Sequence, residues 1–338
     1  MLPIGVLLPT RDSMAHLPGH LQGVASWLDI VEEVVVVDSH SKDATIEFLT
    51  ANLRHPGLRI LTHPPGLYES WNHGIAHIGS RFTYISTIGD SITRAGLEQL
   101  VETAERLQCD VLISPPQFVD ETGRKVPHSP WPVHGLISDL GIAAPRVLDR
   151  ITVFFYACLH ALSPGSFDSL LGSSASNVYR TSVLQEFPFP TDCARASDTA
   201  WSFLHSLEVN LGVTPEVCST FLMHSRPAGP DFDFYAALGD KLLAHVLPFL
   251  HRELDRDPQA RSACAAVNMN AFLDELQAWR RDHVLLRAGR MGRAPWFLKP
   301  SVWKARAGRT RHREHVESFK ERFLALYRKS LQETGQAV

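Results

Sequence analysis

Two short, unbroken apolar runs, IGVLL at residues 4–8 and EVVVV at 33–37, constrain this chain more than any other feature. A strand that does not alternate apolar with polar residues is buried on both faces, as in a parallel sheet covered by helices on either side. The intervening SMAHLPGHLQGVASWLDI repeats Leu21, Val24, Ala25 and Leu28 at helical spacing, so the three segments predict a βαβ unit. A second unit follows, because DATIEFLTANL carries Ile46, Leu49 and Leu53 on one face and leads into the strand LRILTH. LYESWNHGIAHI then predicts a helix, RFTYIST a fourth strand, AGLEQLVETAERL another helix and DVLISPPQFV a fifth strand. Alternation sustained over about 120 residues predicts an α/β fold with an open, mostly parallel, doubly wound sheet. The full 338 residues hold one large α/β domain or two smaller ones.

Such sheets bind ligands outside the carboxyl ends of their strands. Three ends here carry acidic or polar residues: Pro9, Thr10 and Asp12 after the first strand, Asp38 after the second, and Gly89 and Asp90 after the fourth. A carboxylate at a buried strand end is costly unless it is paired or bound to a cation, so Asp90 in STIGDS reads as a ligand for something positive. The plainer reading is a Gly-Asp turn. Asp38 can accept from a nucleobase N–H, or serve as a turn or N-cap residue beside Ser39 and Ser41. The stretch from about 125 to 170 is rich in Pro, Gly and Ser and predicts loops over the mouth of the site.

Net charge is -3, but 18 Lys and Arg against 10 Asp and Glu lie beyond residue 250, whereas the first 250 residues hold 15 against 26. An acidic body argues against a general nucleic-acid binder. Within the tail, residues 283–313 hold nine Lys or Arg and no acid, interleaved with Trp296, Phe297 and Trp303. That pattern suits a peripheral membrane contact, or a solvated helical face closing over the acidic body. Val316, Phe319, Phe323 and Leu326 form one helical stripe, and AFLDELQAWRRDHVLL behaves similarly. Five scattered cysteines without a C-x-x-C pair fit a reducing compartment and exclude a disulfide framework or zinc ribbon. MLPIGVLLPTRD lacks a cationic n-region and reads as a first strand, and no run of eighteen apolar residues predicts a membrane span.

Three segments, in this order, resemble family 2 glycosyltransferases with the GT-A type nucleotide-sugar fold, over roughly residues 3 to 228. VVVVDSHSKDAT resembles that family's V-D-x-G-S-T-D-G-T. GLYESWNHGIAHIGSRFTYISTIGD resembles G-[IL]-Y-[DE]-A-x-N-x-G-I followed by a strand ending in N-x-G-D. SNVYRTSVLQEFPFP and then ASDTAW resemble the acceptor half, whose loop ends in an acidic pair. The resemblance implies a nucleotide-sugar donor, with Asp38 reading the nucleobase beside the Thr10 to Asp12 loop. It implies Mg²⁺ or Mn²⁺ on Asp90, bridging the two phosphates, although Gly89 stands where the commoner pattern has a second aspartate. His224 in FLMHSRP stands where some relatives supply a late histidine to the metal. Tyr68 and Asn72 match the helix motif; Asn72 is expected to hold a phosphate or ribose hydroxyl, or a bond within its own helix. Asp198 is implied as general base of an inverting transfer, with the family's Glu-Asp pair reading Ser197-Asp198 here and the acceptor near Asp198 and Trp201. The plainer reading of Asp198 is a first-turn helix residue favoured by the helix dipole, and both roles can hold at once.

The expected organisation is a transferase domain over 1–230, divided at about 120 into nucleotide and acceptor halves, then a basic helical extension over 231–338. The expected acceptor is a glycan or lipid-linked hydroxyl in surface polysaccharide synthesis, with the protein cytoplasmic at the inner face of the membrane. A sugar-phosphate nucleotidyltransferase would need a Gly-rich loop with Arg and Lys, which PTRDSMAHLPG lacks. A non-catalytic binding or scaffold protein on a degenerate transferase fold remains open because both acidic motifs are halved. Zinc hydrolysis ranks lower, since His16 and His20, and His73 and His77, are spaced i, i+4 without H-E-x-x-H.

Overall fold

In the computed structural model the residues described are 1–128, 130–162, 169–193, 196–223, 244, 248, 252–291 and 299–333. The strands are β1 (Ile4–Thr10), β2 (Glu33–Asp38), β3 (Leu58–Thr62), β4 (Phe82–Ile85), β5 (Ser91–Ile92), β6 (Val111–Ile113), β7 (Gln117–Val119), β8 (Arg146–Val147), β9 (Val178–Arg180), β10 (Leu211–Val213) and β11 (Ser219–Leu222). The helices are α1 (Leu17–Ala25), α2 (Thr45–Asn52), α3 (Leu67–Ile75), α4 (Arg94–Leu107), α5 (Pro132–Asp139), α6 (Arg150–Leu162), α7 (Thr181–Glu186) and α8 (Ser197–Leu204). Three more follow: α9 (Pro258–Ala266), α10 (Met269–Met291) and α11 (Pro300–Glu333).

Eight strands form one sheet in the order β3-β2-β1-β4-β9-β6-β10-β8, and β5-β11-β7 form a second, smaller one. β3, β2, β1 and β4 are mutually parallel, whereas β9 runs antiparallel between β4 and β6. The chain steps outward from β1 to β3 and then returns to the other side of β1 with β4, which makes the carboxyl ends of β1 and β4 a topological switch point. Both faces of the central strands are buried, as their unbroken apolar runs require. Val34 and Val36 belong to one hydrophobic cluster with Leu17, Val24, Leu49 and Leu97 from α1, α2 and α4. Val35 and Val37 belong to the opposite cluster with Trp71 and Ile75 of α3. Gly74 permits this close packing: a Cβ there would collide with Leu7 and approach Val37.

Some expectations are corrected. The segment DVLISPPQFV is two strands, β6 in the main sheet and β7 in the small one, broken at Pro115-Pro116 where a ladder donor is missing. The stretch 125–170 is not loop throughout: α5 and α6 take 21 of its residues, ITVFFYACL in α6 places Phe154, Phe155 and Tyr156 in the core, and the cluster at 163–168 lies outside the described residues. The stripe on α11 ends on buried Tyr327, while Leu326 is exposed. The C-terminal helices share the core of the preceding fold, since Phe272, Leu276, Phe319 and Phe323 belong to the same cluster as Val111 and Trp201. The expected boundary near 230 lies outside the described residues. No helix among the described residues is long and apolar enough to cross a membrane.

Candidate active site

Register sets the first part of the site. Thr10 pairs with Asp38 and Asp38 with Thr62, so the carboxyl ends of β1, β2 and β3 lie level. Beyond them two loops are sewn together by polar side chains. Asp38 is 3% exposed and accepts from the Ser41 amide at 2.9 Å and the Ser41 hydroxyl at 2.5 Å. The amide of Asp12 donates to Ser41 Oγ at 2.9 Å, and the Asp12 carboxylate accepts from the Lys42 amide at 2.6 Å. Asp12 and His40 have positive φ, 46° and 56°, and both are of types that tolerate it. Thr10 donates to Ser13 Oγ at 2.9 Å, and Pro9 is half-buried against this edge. Asp38 thus caps its own turn, the plainer of the two expected roles, at the carboxyl end of β2 beside β1.

The STIGDS turn is the second part. The amide of Asp90 closes it on the Thr87 carbonyl at 3.1 Å, and Gly89 at φ 102° takes a conformation unfavourable for any residue with a Cβ. Backbone geometry therefore accounts for Gly89 where the commoner family pattern has a second aspartate. Asp90 is 7% exposed. One of its oxygens accepts from the Leu222 amide at 2.9 Å, the other from the hydroxyls of Thr87 at 2.6 Å and Ser173 at 3.4 Å. Burial outweighs these bonds and pushes the carboxyl up to about 6.

His20 of α1 clamps the same turn, which the sequence reading missed. Its Nδ1 lies 3.1 Å from the Asp90 carbonyl, which can only accept, so Nδ1 carries the proton. Nε2, 3.0 Å away, then accepts from the Ser86 hydroxyl. Burial lowers His20 to about 4 and keeps the ring neutral in this role. The i, i+4 spacing of His16 and His20 was visible but pointed only to metal; what fixes the role is contact with residues 66 and 70 positions away.

Asp198 forms the third part, in the first turn of α8. Its carboxylate accepts from the Thr199 amide at 2.7 Å and from the Tyr68 hydroxyl. The residue keeps partial access to solvent, but the carboxyl is walled in, and burial raises it to about 6. The surround is aromatic: Tyr68 packs on Trp71 at 4.9 Å and on Phe189 at 5.5 Å, and Phe189 on Trp201 at 5.7 Å between ring centroids. Trp201, expected beside an acceptor, is instead fully buried, its indole donating to the Phe187 carbonyl at 2.5 Å. Asn72 holds the same loop in both directions, donating to the Phe189 carbonyl at 2.8 Å and accepting from its amide at 3.0 Å. Its amide thus ties two elements together, which neither expected role described.

The segment 173–179 joins the two carboxylates. Ser173 reaches Asp90, Ser174 contacts the Tyr179 hydroxyl at 3.5 Å, and Tyr179 senses the charge of Asp198. His224 lies outside the described residues. Among the described residues no group of three His, Cys, Asp or Glu side chains is arranged to hold a metal. Asp90 itself is a buried carboxyl with no cationic partner among them, which is the donor a divalent ion bound mainly through phosphate oxygens requires.

Comparison with known proteins follows this geometry. The Glycosyl transferase family 2 pattern matches residues 6–170. Among solved structures the chain is similar to S. aureus TarS 1–349 in complex with UDP, at 17% identity over 97% of this chain and 91% of that one, TM-score 0.52. It is similar to the same protein with UDP-GlcNAc, at 16% identity, 98% and 92% coverage and TM-score 0.52. It also resembles the mannosyltransferase PcManGT from Pyrobaculum calidifontis in complex with GDP-Man and Mn²⁺, at 16% identity, 98% and 88% coverage and TM-score 0.50. No curated protein matches the chain in sequence. At these identities the structures speak for the fold, which is the GT-A architecture, while the glycosyltransferase family 2 pattern covers 165 of the 338 residues.

Proposed function

We propose that this chain transfers a sugar from a nucleotide-sugar donor to a hydroxyl acceptor with inversion, using Asp198 as general base. The observation that carries this reading is the Asp198 carboxyl, oriented by Tyr68 and Thr199 against an aromatic wall, in a residue that is itself only half-buried. Ionised Asp198 takes the proton of the acceptor hydroxyl as that oxygen bonds to the anomeric carbon, and the bond from carbon to phosphate oxygen breaks on the opposite face. The nucleoside diphosphate leaves with the electron pair. Donor contacts fall to the loops after β1 and β2, with Asp38 and Asp12 presenting the base side and the 86–90 turn the phosphate side. A Mg²⁺ or Mn²⁺ held by Asp90 would supply charge stabilisation to the departing diphosphate. His224 is the candidate second ligand. A glycan or lipid-linked acceptor is the class that this reading favours.

The test is calorimetric titration of UDP, GDP and dTDP, with and without Mn²⁺, followed by product analysis with the matching sugar nucleotide. Wild type is expected to bind one nucleotide more tightly with Mn²⁺, Asp90→Ala to lose that gain, and Asp198→Asn to bind normally without transferring. Absence of nucleotide binding under every condition would leave a scaffold on a transferase fold as the better account.

A further inference from the structure

Between α10 and α11 runs a groove of about 620 Å³, within the ~300–1,000 Å³ common for small-molecule sites. Neither Asp90 nor Asp198 lines it. α10 presents Arg281 to it, and α11 presents Arg311 and Arg322. Glu275 is already engaged: His312 lies 2.5 Å from one of its oxygens and His315 3.1 Å from the other. Arg281 and Arg311 are exposed and, among the described residues, pair with no carboxylate. Arg322 stacks over the Phe319 ring at 4.3 Å and donates to the Ser318 carbonyl at 3.4 Å, and among the described residues it too pairs with no carboxylate. Asp274 is the one acid in the groove that is not held by a histidine.

Three exposed guanidinium groups along one concavity give it a positive field that attracts an anion. Their planar forks match the oxygens of a phosphate two at a time, which a point charge such as lysine does not. The outer face of α11 adds exposed Lys304, Arg306, Arg309 and Arg313, which draws anions toward the groove without shaping a site. We propose that the groove between α10 and α11 binds a phosphate group through Arg281, Arg311 and Arg322. The phosphate belongs either to a soluble phosphate or diphosphate or to the headgroup of an anionic lipid. The proposal does not rest on the sugar-transfer reading.

Two probes separate the sources: calorimetry of the full chain with inorganic pyrophosphate, and co-sedimentation with phosphatidylglycerol–phosphatidylcholine vesicles against pure phosphatidylcholine. Each is run on wild type, on the groove pair Arg281→Ala/Arg311→Ala, and on the outer-face pair Arg306→Ala/Arg309→Ala, with circular dichroism to confirm unchanged helix content. Pyrophosphate binding weakened at least about tenfold in the groove pair alone supports the site with a soluble ligand. Vesicle capture lost in the groove pair alone supports it with a lipid headgroup. Binding of neither probe, loss shared equally by both pairs, or binding that survives in the groove pair overturns the proposal. In the last case the donor site is the alternative location.

Discussion

Asp198 combines two demands that pull against each other. Its carboxyl titrates at about 6 in the folded chain against 3.8 when unperturbed, because burial penalises the charge. Between those values the folded state holds a proton that the unfolded chain has lost, so Asp198 lowers stability as pH rises through the window. The accumulated cost above pH 6 is on the order of 3 kcal/mol. Asp198→Asn keeps the oxygen that accepts from the Thr199 amide and removes the charge. It is therefore expected to be more stable than wild type at pH 7 by roughly 1–3 kcal/mol, with little difference at pH 4, as read by urea unfolding. Transfer should fall by about 10²–10⁴ in the same variant, and wild-type kcat should decline below about pH 6 as the base becomes protonated. A variant that lost stability at pH 7 as well as activity would indicate that Tyr68 and Thr199 need the charge more than burial opposes it.

The turn between β4 and β5 is where backbone shape, not side-chain choice, sets the chemistry. Gly89→Asp would restore the commoner acidic pair but must place a Cβ at φ 102°, at a cost of about 1–3 kcal/mol. Lower thermal stability with no gain in Mn²⁺-dependent nucleotide binding is the expected result. His20→Ala should leave the Asp90 carbonyl without its buried partner, worth about 1–3 kcal/mol, and the Ser86 hydroxyl with Tyr84 alone. Nucleotide affinity is expected to drop with stability in that variant, and His20→Gln to recover part of both. These elements also mark what the sequence made legible. IGVLL, EVVVV and the acids at their ends were readable because a doubly buried strand and a strand-end carboxylate are local signals. The small β5-β11-β7 sheet has strands of 2 to 4 residues, too short to carry a period. The ties of Asn72 to Phe189 and of His20 to Ser86 span 117 and 66 residues, distances over which only folding brings partners together.

At the scale of the molecule, the basic tail is bound to the acidic body by packing more than by charge. Phe323 of α11 stacks on Phe155 of α6 at 3.9 Å and 6° between ring planes, and Phe272 of α10 stacks on the same ring at 5.3 Å. Lys320 reaches Asp139 at 2.6 Å, and Asp139 also accepts from Tyr156 at 3.1 Å. Such exposed or half-exposed ion pairs contribute roughly 0–1 kcal/mol, whereas truncating a buried Phe costs about 3–5 kcal/mol. Unfolding should therefore be a single transition in which helix content and donor binding disappear together. Phe323→Ala is expected to lower its midpoint strongly and Lys320→Ala barely. Two separated transitions in urea, with the C-terminal helices melting first, would instead mean that the α6 contacts do not couple tail to sheet. Because α6 also packs against α8, which carries Asp198, coupling predicts that Phe323→Ala reduces transfer even below its unfolding midpoint.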